Sequence, residues 1–289
     1  MNLIHKQLNL NNTIIALDLD GTLLRTDKSV SEFTVNTLRS LSLKGAKVCF
    51  VTGRRERVAA TVLKPFSFPA WLISNNGTSC SEWPTRERIY LHYYPKRTVE
   101  NVIKALSEID RVPVLIIDTA DVCEDMVMEE SHLEIKVYKD YYYRNKEHII
   151  IEKNIRNSKF IDRVTGMFLT EGNGTIQNVI SFLKSENNDK LKFYSLDNLD
   201  YLPTHTILEI LEQGWTKWDA ICRLKEKIGN KETNVIAFCD DHNDIEMLTF
   251  ADESYAMENA IEGAKAAAKY IAPTNNEDGV AKVLTEIVG

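Results

Sequence analysis

Ile14-Ile15-Ala16-Leu17-Asp18-Leu19-Asp20-Gly21-Thr22 is the stretch on which the reading of this chain turns. Its apolar run shows no alternation, the pattern of a strand buried on both faces of a parallel sheet. It releases two carboxylates, two residues apart, at its carboxyl end. Carboxylates so placed can hold a hard cation and can attack an electrophile. Outward from this point strands and helices alternate. Val30, Phe33, Thr34, Thr37, Leu38 and Leu41 share one helical stripe and predict a helix over 29–44, with Ser29 or Ser31 as its cap and Gly45 after its end. Residues 47–51 read as a second strand, Thr52-Gly53-Arg54 as the opening of a helix that Pro65 ends, and 71–74 as a third strand before the turn signal Asn75-Asn76-Gly77. This alternation is the doubly wound α/β pattern.

The pattern resumes late in the chain. Thr216 and Asp219 read as a capping box for a helix carrying Ile221, Leu224 and Ile228 and stopping at Gly229. A strand over 234–239 follows, then short outer strands at 254–257 and 270–272 around a helical stretch at 259–269. A last helix runs over 279–288. Between 81 and 204 the texture changes. Strands are expected at 112–118 and 193–196, and helices at 98–109 and 175–185. The aromatic run Tyr138–Tyr143 reads equally as a loop or an edge strand. The simplest account is an α/β core formed by 1–80 and 205–289, interrupted by an inserted α+β domain over 81–204.

Composition bounds the function. A chain of 289 residues accommodates two domains, and 44% hydrophobic with 27% charged residues is ordinary for a globular protein. The formal charge of −7 argues against a nucleic-acid or membrane surface as partner. Five cysteines, odd in number and without a CxxC pair, fit a reduced compartment better than a disulfide framework. Met1–Asn12 is polar and lacks the apolar core of a signal peptide, so a cytoplasmic protein is expected.

Four strand or helix ends carry what a phosphoryl-transfer site needs, and ligands of open parallel sheets gather at such ends. They are Asp18 with Asp20, Thr52 with the backbone N–H groups after it, Lys217, and Asp240-Asp241-His242-Asn243-Asp244. Clustered carboxylates repel a phosphate dianion unless a cation such as Mg²⁺ and a lysine offset them. Taken singly, each piece has a plainer reading: a solvated turn, a helix cap, a surface lysine. Their order along one chain makes the case.

These residues carry a family resemblance. The chain resembles the haloacid dehalogenase (HAD) superfamily of hydrolases, in its Cof-like phosphatase branch with a large α/β cap inserted in a Rossmann-like core. Asp18-Leu19-Asp20-Gly21-Thr22 matches the first motif, Thr52-Gly53-Arg54 the second, Lys217 the third and Asp240–Asp244 the fourth. The segments 256–260 and 275–280 are also similar to this branch. The resemblance implies Asp18 as nucleophile and Mg²⁺ ligand. It implies Asp20 as acid and base, with its backbone carbonyl on the metal. Thr52, Gly53 and Lys217 would hold the phosphoryl group, Asp240 would ligate Mg²⁺ with Asp244 in support, and Asn243 and Asn76 would face the substrate. Cys239 and Trp218 stand where the family often has glycine.

The expectation is a Mg²⁺-dependent phosphatase of a small phosphorylated metabolite, a sugar phosphate or a phosphorylated cofactor, acting as monomer or homodimer without nucleic acid or membrane. A phosphomutase would return the phosphate to a reoriented substrate. A non-catalytic metabolite-binding regulator is disfavoured, because Asp18, Asp20, Lys217 and Asp240 are all present.

Overall fold

The computed structural model describes residues 9–118, 123–186, 190–196, 204–229 and 232–288. The reading of the amino terminus falls largely on residues 1–8, outside the described residues. From its start the chain runs through β1 (Thr13–Leu17), α1 (Glu32–Leu43), β2 (Lys47–Val51), α2 (Glu56–Val62), β3 (Ala70–Ser74), β4 (Ser79–Trp83) and β5 (Arg88–Leu91). A middle stretch gives α3 (Lys96–Ser107), β6 (Val114–Ile117), β7 (Met126–Glu129), α4 (Lys136–Asn145), β8 (Ile149–Glu152), β9 (Val164–Gly172), α5 (Ile176–Ser185), β10 (Leu191–Leu196) and β11 (His205–Glu212). The last stretch gives α6 (Lys217–Lys227), β12 (Asn234–Cys239), α7 (Ile245–Phe250), β13 (Glu253–Met257), α8 (Glu262–Ala267), β14 (Tyr270–Ala272) and α9 (Gly279–Val288).

The chain folds as two compact units. One extends to Leu91 and resumes at Trp215; the other is His92–Gly214. The first unit holds a sheet in the order β14-β13-β12-β1-β2-β3-β4-β5. From β14 to β3 its strands are parallel, and β4 and β5 extend it as an antiparallel hairpin. This is the doubly wound α/β core. The strand order reverses beside β1, whose neighbours are β2 and the distant β12, with Leu17 opposite both Phe50 and Phe238. Every residue of β1 is buried, as its unbroken apolar run requires. Ser31, not Ser29, caps α1 by accepting the Thr34 N–H, and Gly45 after it is left-handed at φ 99°.

Two local expectations change. Thr52-Gly53-Arg54 does not open the helix: α2 starts at Glu56, and the tripeptide is the loop between β2 and α2. Tyr138–Tyr143 is neither loop nor edge strand but the body of α4. Tyr138 is buried there, and its hydroxyl receives the Thr170 N–H at 2.6 Å. The units also divide later along the chain than 80/81 and 204/205. Trp83 is buried in the core of the first unit, and β11 pairs with β9 and β10 of the other.

The second unit is a six-stranded sheet in the order β10-β11-β9-β6-β7-β8, an α+β arrangement. Val102 and Leu106 of α3 and Val179 and Leu183 of α5 share a core with Leu115, Met167, Leu208 and Ile210. Tyr138 of α4 packs with Val114, Met126, Met128 and Ile149 in a separate cluster.

Candidate active site

Because β12, β1, β2 and β3 are parallel neighbours, the loops after them leave the same edge of the sheet. Asp240, Asp18 with Asp20, Thr52 and Asn76 follow these four strands. Lys217 arrives from the first position of α6, whose cap is the expected box: Thr216 Oγ1 accepts the Asp219 N–H, and Asp219 Oδ2 accepts the Thr216 N–H.

Lys217 is the centre of the arrangement. Its Nζ donates to Asp18 Oδ1 and to Asp244 Oδ1, each at 2.7 Å. Lys217 is 2% exposed, Asp18 5% and Asp244 0%, so the contacts are made out of water. Burial alone would discharge the ammonium, but the two carboxylates outweigh it and hold Lys217 well above the ordinary lysine range. Carboxylate oxygens of Asp18, Asp240 and Asp244 lie within 4.8 Å of one another. Burial raises the Asp18 carboxyl to about 7 against the pull of Lys217, with Asp244 and Asp20 adding repulsion. Asp240 is pushed well up by burial and by Asp18 and Asp244. Three carboxylates and one ammonium form a cluster that could hold a divalent cation.

Asp20 is set apart. Arg54 grips it with Nε on Oδ2 and Nη2 on Oδ1, both at 2.6 Å, and Lys28 Nζ donates to Oδ1 at 2.8 Å. Burial would raise its carboxyl, but these cations outweigh burial and bring it down to about 2. A second group forms around Asn76, whose Oδ1 accepts from Asn243 Nδ2 at 2.9 Å. A side chain on Gly53 would begin 3.0 Å from that same oxygen, and the Asn76 N–H donates to the Thr52 carbonyl. Thr52 Oγ1 accepts the Arg54 N–H. The expected residues thus gather in two groups, Asp18, Asp240, Asp244 and Lys217 in one, Thr52, Gly53, Asn76 and Asn243 in the other, with Asp20 at its own pair of cations.

Several residues act beyond those expected. Thr22 Oγ1 donates to Asp240 Oδ1 at 2.7 Å, and Gly21 at φ 77° lies so close to Asp240 that a Cβ would overlap its carboxylate. Asn259 Nδ2 donates to the Gly21 carbonyl, and Asn275 Nδ2 to that of Leu24. These asparagines fasten the loop after β1. Thr22, Arg54, Asn259 and Asn275 all lie in quoted motifs, whereas Lys28 carries no signal in its neighbours. Asp241 caps a short turn by accepting the His242 N–H, and His242 is exposed. Cys239 is fully buried on β12 with ordinary backbone angles. Trp218 packs by Phe250, ring centres 6.0 Å apart.

A family model described as haloacid dehalogenase-like hydrolase matches residues 15–284. The chain belongs to that family. It is therefore an enzyme, a HAD-like hydrolase of the phosphatase type. It is 28% identical over 281 residues to a 5-amino-6-(5-phospho-D-ribitylamino)uracil phosphatase of Bacillus subtilis, covering 94% of this chain and 96% of the relative. A second Bacillus subtilis phosphatase of that name is 25% identical, with 94% of each chain covered. A solved HAD-like hydrolase from Bacteroides thetaiotaomicron superposes with a TM-score of 0.72 at 28% identity, over 95% of this chain and 99% of the other. No helix among the described residues is long and apolar enough to cross a membrane.

Proposed function

We propose that this HAD-like hydrolase removes phosphate from a small phosphorylated metabolite, with Mg²⁺ as cofactor and a phosphoryl-aspartate formed on Asp18. The observation that carries the reading is Lys217, buried and 2.7 Å from both Asp18 and Asp244. Asp18 and Asp240, with the Asp20 backbone carbonyl, would hold the ion, and Asp244 would support them. The fit rests on three buried or half-buried carboxylates that one lysine does not balance. Bound there, Mg²⁺ supplies the positive charge that lets a phosphate dianion approach a carboxylate and that stabilises the transition state.

The chain's own groups supply the remaining steps. An Asp18 oxygen attacks phosphorus while the bond from phosphorus to the leaving oxygen breaks. Asp20 gives that oxygen a proton, then takes one from the water that displaces phosphate from Asp18. Arg54 and Lys28 hold Asp20 as a carboxylate in the free protein. Its acid role therefore requires the substrate to draw at least one of them away, and Asp20 to take up a proton from solvent before the leaving oxygen departs. Lys217, the Thr52 hydroxyl and the Gly53 N–H receive phosphoryl oxygens, and Asn76 and Asn243 orient the group. The 92–214 unit supplies specificity, and the enzyme works in the cytoplasm.

The names of the two Bacillus relatives put phosphorylated ribityl compounds first in a substrate panel, beside sugar phosphates and phosphorylated cofactors. The test is phosphate release over that panel, with Mg²⁺ and with a chelator. Asp18→Asn is expected to lower Mg²⁺-dependent turnover by about a thousandfold or more. Full turnover in that variant would sink the mechanism.

A further inference from the structure

The turn Asn75–Gly77 is unusual in having three consecutive residues with positive φ: 50°, 52° and 113°. Two of them are not glycine, so their surroundings must hold them there. On the amino-terminal side the Asn75 N–H donates to the Arg54 carbonyl and the Asn76 N–H to the Thr52 carbonyl. On the carboxyl side the Tyr90 hydroxyl, from edge strand β5, donates to the Gly77 carbonyl at 3.2 Å. Gly77 itself lies against the carbonyl of Thr216, where a Cβ would come within 2.4 Å. Thr216 is the cap of the helix that begins with Lys217. One turn thus carries Asn76 and lies against the cap residue that precedes Lys217.

Tyr90 is not loosely placed. Its ring lies against Trp215 with centroids 6.1 Å apart. The Arg223 guanidinium covers Trp215, 3.7 Å from the ring centre. Burial holds the Tyr90 phenol protonated, as a donor, far above neutral pH.

We infer that Tyr90 is a positioning residue for the reaction: its hydroxyl, oriented by Trp215, holds the Asn75–Gly77 turn so that Asn76 meets the phosphoryl group. The inference rests on the phosphatase reading above, through the role given to Asn76. Tyr90→Phe removes the hydroxyl and keeps the ring. With p-nitrophenyl phosphate and Mg²⁺, KM is expected to rise about fivefold with kcat within about twofold of the parent, the loss of one hydrogen bond. In an Asn76→Ala background the same change is expected to add nothing, because the group it positions is gone.

A merely structural role would lower the active fraction, and therefore kcat, without moving KM. An unchanged KM, or an effect that persists in full without Asn76, overturns the inference. The stabilisation of the protein by orthophosphate with Mg²⁺ gives a readout without turnover: Tyr90→Phe must shrink the shift in melting temperature, and an undiminished shift also overturns the inference. An active Asp18→Asn control would instead remove the Asp18 mechanism, leaving the orthophosphate shift to decide the role of Tyr90.

Discussion

Asp18 sits between two demands, a buried place that favours its neutral form and a lysine that favours its charged one. Burial wins by enough to raise the carboxyl from 3.8 to about 7. The folded form therefore binds more protons than the unfolded chain across that interval. Stability from this group is complete below the unfolded value and is lost as pH rises through about 7. A divalent cation reverses the preference, because it requires the carboxylate. The rise in melting temperature on adding Mg²⁺ is expected to be small near about pH 5 and to grow to a plateau above about pH 7 to 8. Differential scanning fluorimetry over that range measures it, and an equal Mg²⁺ effect at both ends would contradict the role of Asp18 in the cation site. Asp20, two residues along, has the opposite environment. Arg54 and Lys28 draw it down to about 2 after overcoming its burial. Burial and partners thus give two carboxylates on one turn different proton affinities. In the free protein these run opposite to a nucleophile and an acid, so cation binding at Asp18 and displacement of Arg54 or Lys28 from Asp20 must reverse both.

At the scale of elements, α6 shows how a local device serves a distant centre. Thr216 is 1% exposed and closes a reciprocal capping box with Asp219. The cap sets where the helix begins, and so where the Lys217 side chain starts its path to Asp18. Thr216→Ala is expected to cost about 1 kcal/mol of stability in urea unfolding. Thr216→Ser, which keeps the hydroxyl, is expected to lose well under half of that. The box was legible because its residues are three apart and follow a break. The aromatic run of α4 was not, since tyrosine suits strands as well as helices. Burying Tyr138 among Val114, Met126 and Met128 chose the helix. For Thr52-Gly53-Arg54 the strand end was legible but the helix start was not. The loop stays open through Arg55, with the Thr52 and Arg54 carbonyls receiving the N–H groups of Asn76 and Asn75.

At the scale of the molecule, each unit carries a core of its own, and the insert carries its own pH sensitivity. His132 is 2% exposed; its Nε2–H donates to the Val112 carbonyl while Nδ1 accepts the Glu129 N–H, an arrangement that suits the neutral ring. Burial lowers its proton affinity below the ordinary 6.5, against the smaller pull of the Val112 and Glu129 carbonyls. The unfolded chain then takes up a proton that the folded one refuses. The stability this group contributes is present above about pH 6.5 and is lost as pH falls below it. Urea midpoints of the wild type are expected to fall more steeply from about pH 7 to pH 5 than those of His132→Gln. Parallel slopes would show that His132 is not the group responsible.

By itself the sequence determined the buried strand β1, the periodic helices, the cap at Thr216, a cap at Ser29 or Ser31 of which the structure chose Ser31, and the polar residue types at the strand ends. All of these rest on neighbours a few positions apart, where backbone geometry and burial leave a readable period. The tertiary structure alone decided that Lys217 reaches Asp18 across 199 positions, that Arg54 and Lys28 share Asp20, and that Tyr90 holds the Asn76 turn. Such meetings depend on strand order, with β12 beside β1, and strand order is set by the packing of whole layers. No local period encodes it. The same reason explains why β4 and β5 joined the first sheet unannounced, while the first motif, with both neighbours of its strand parallel, stood where its residues said it would.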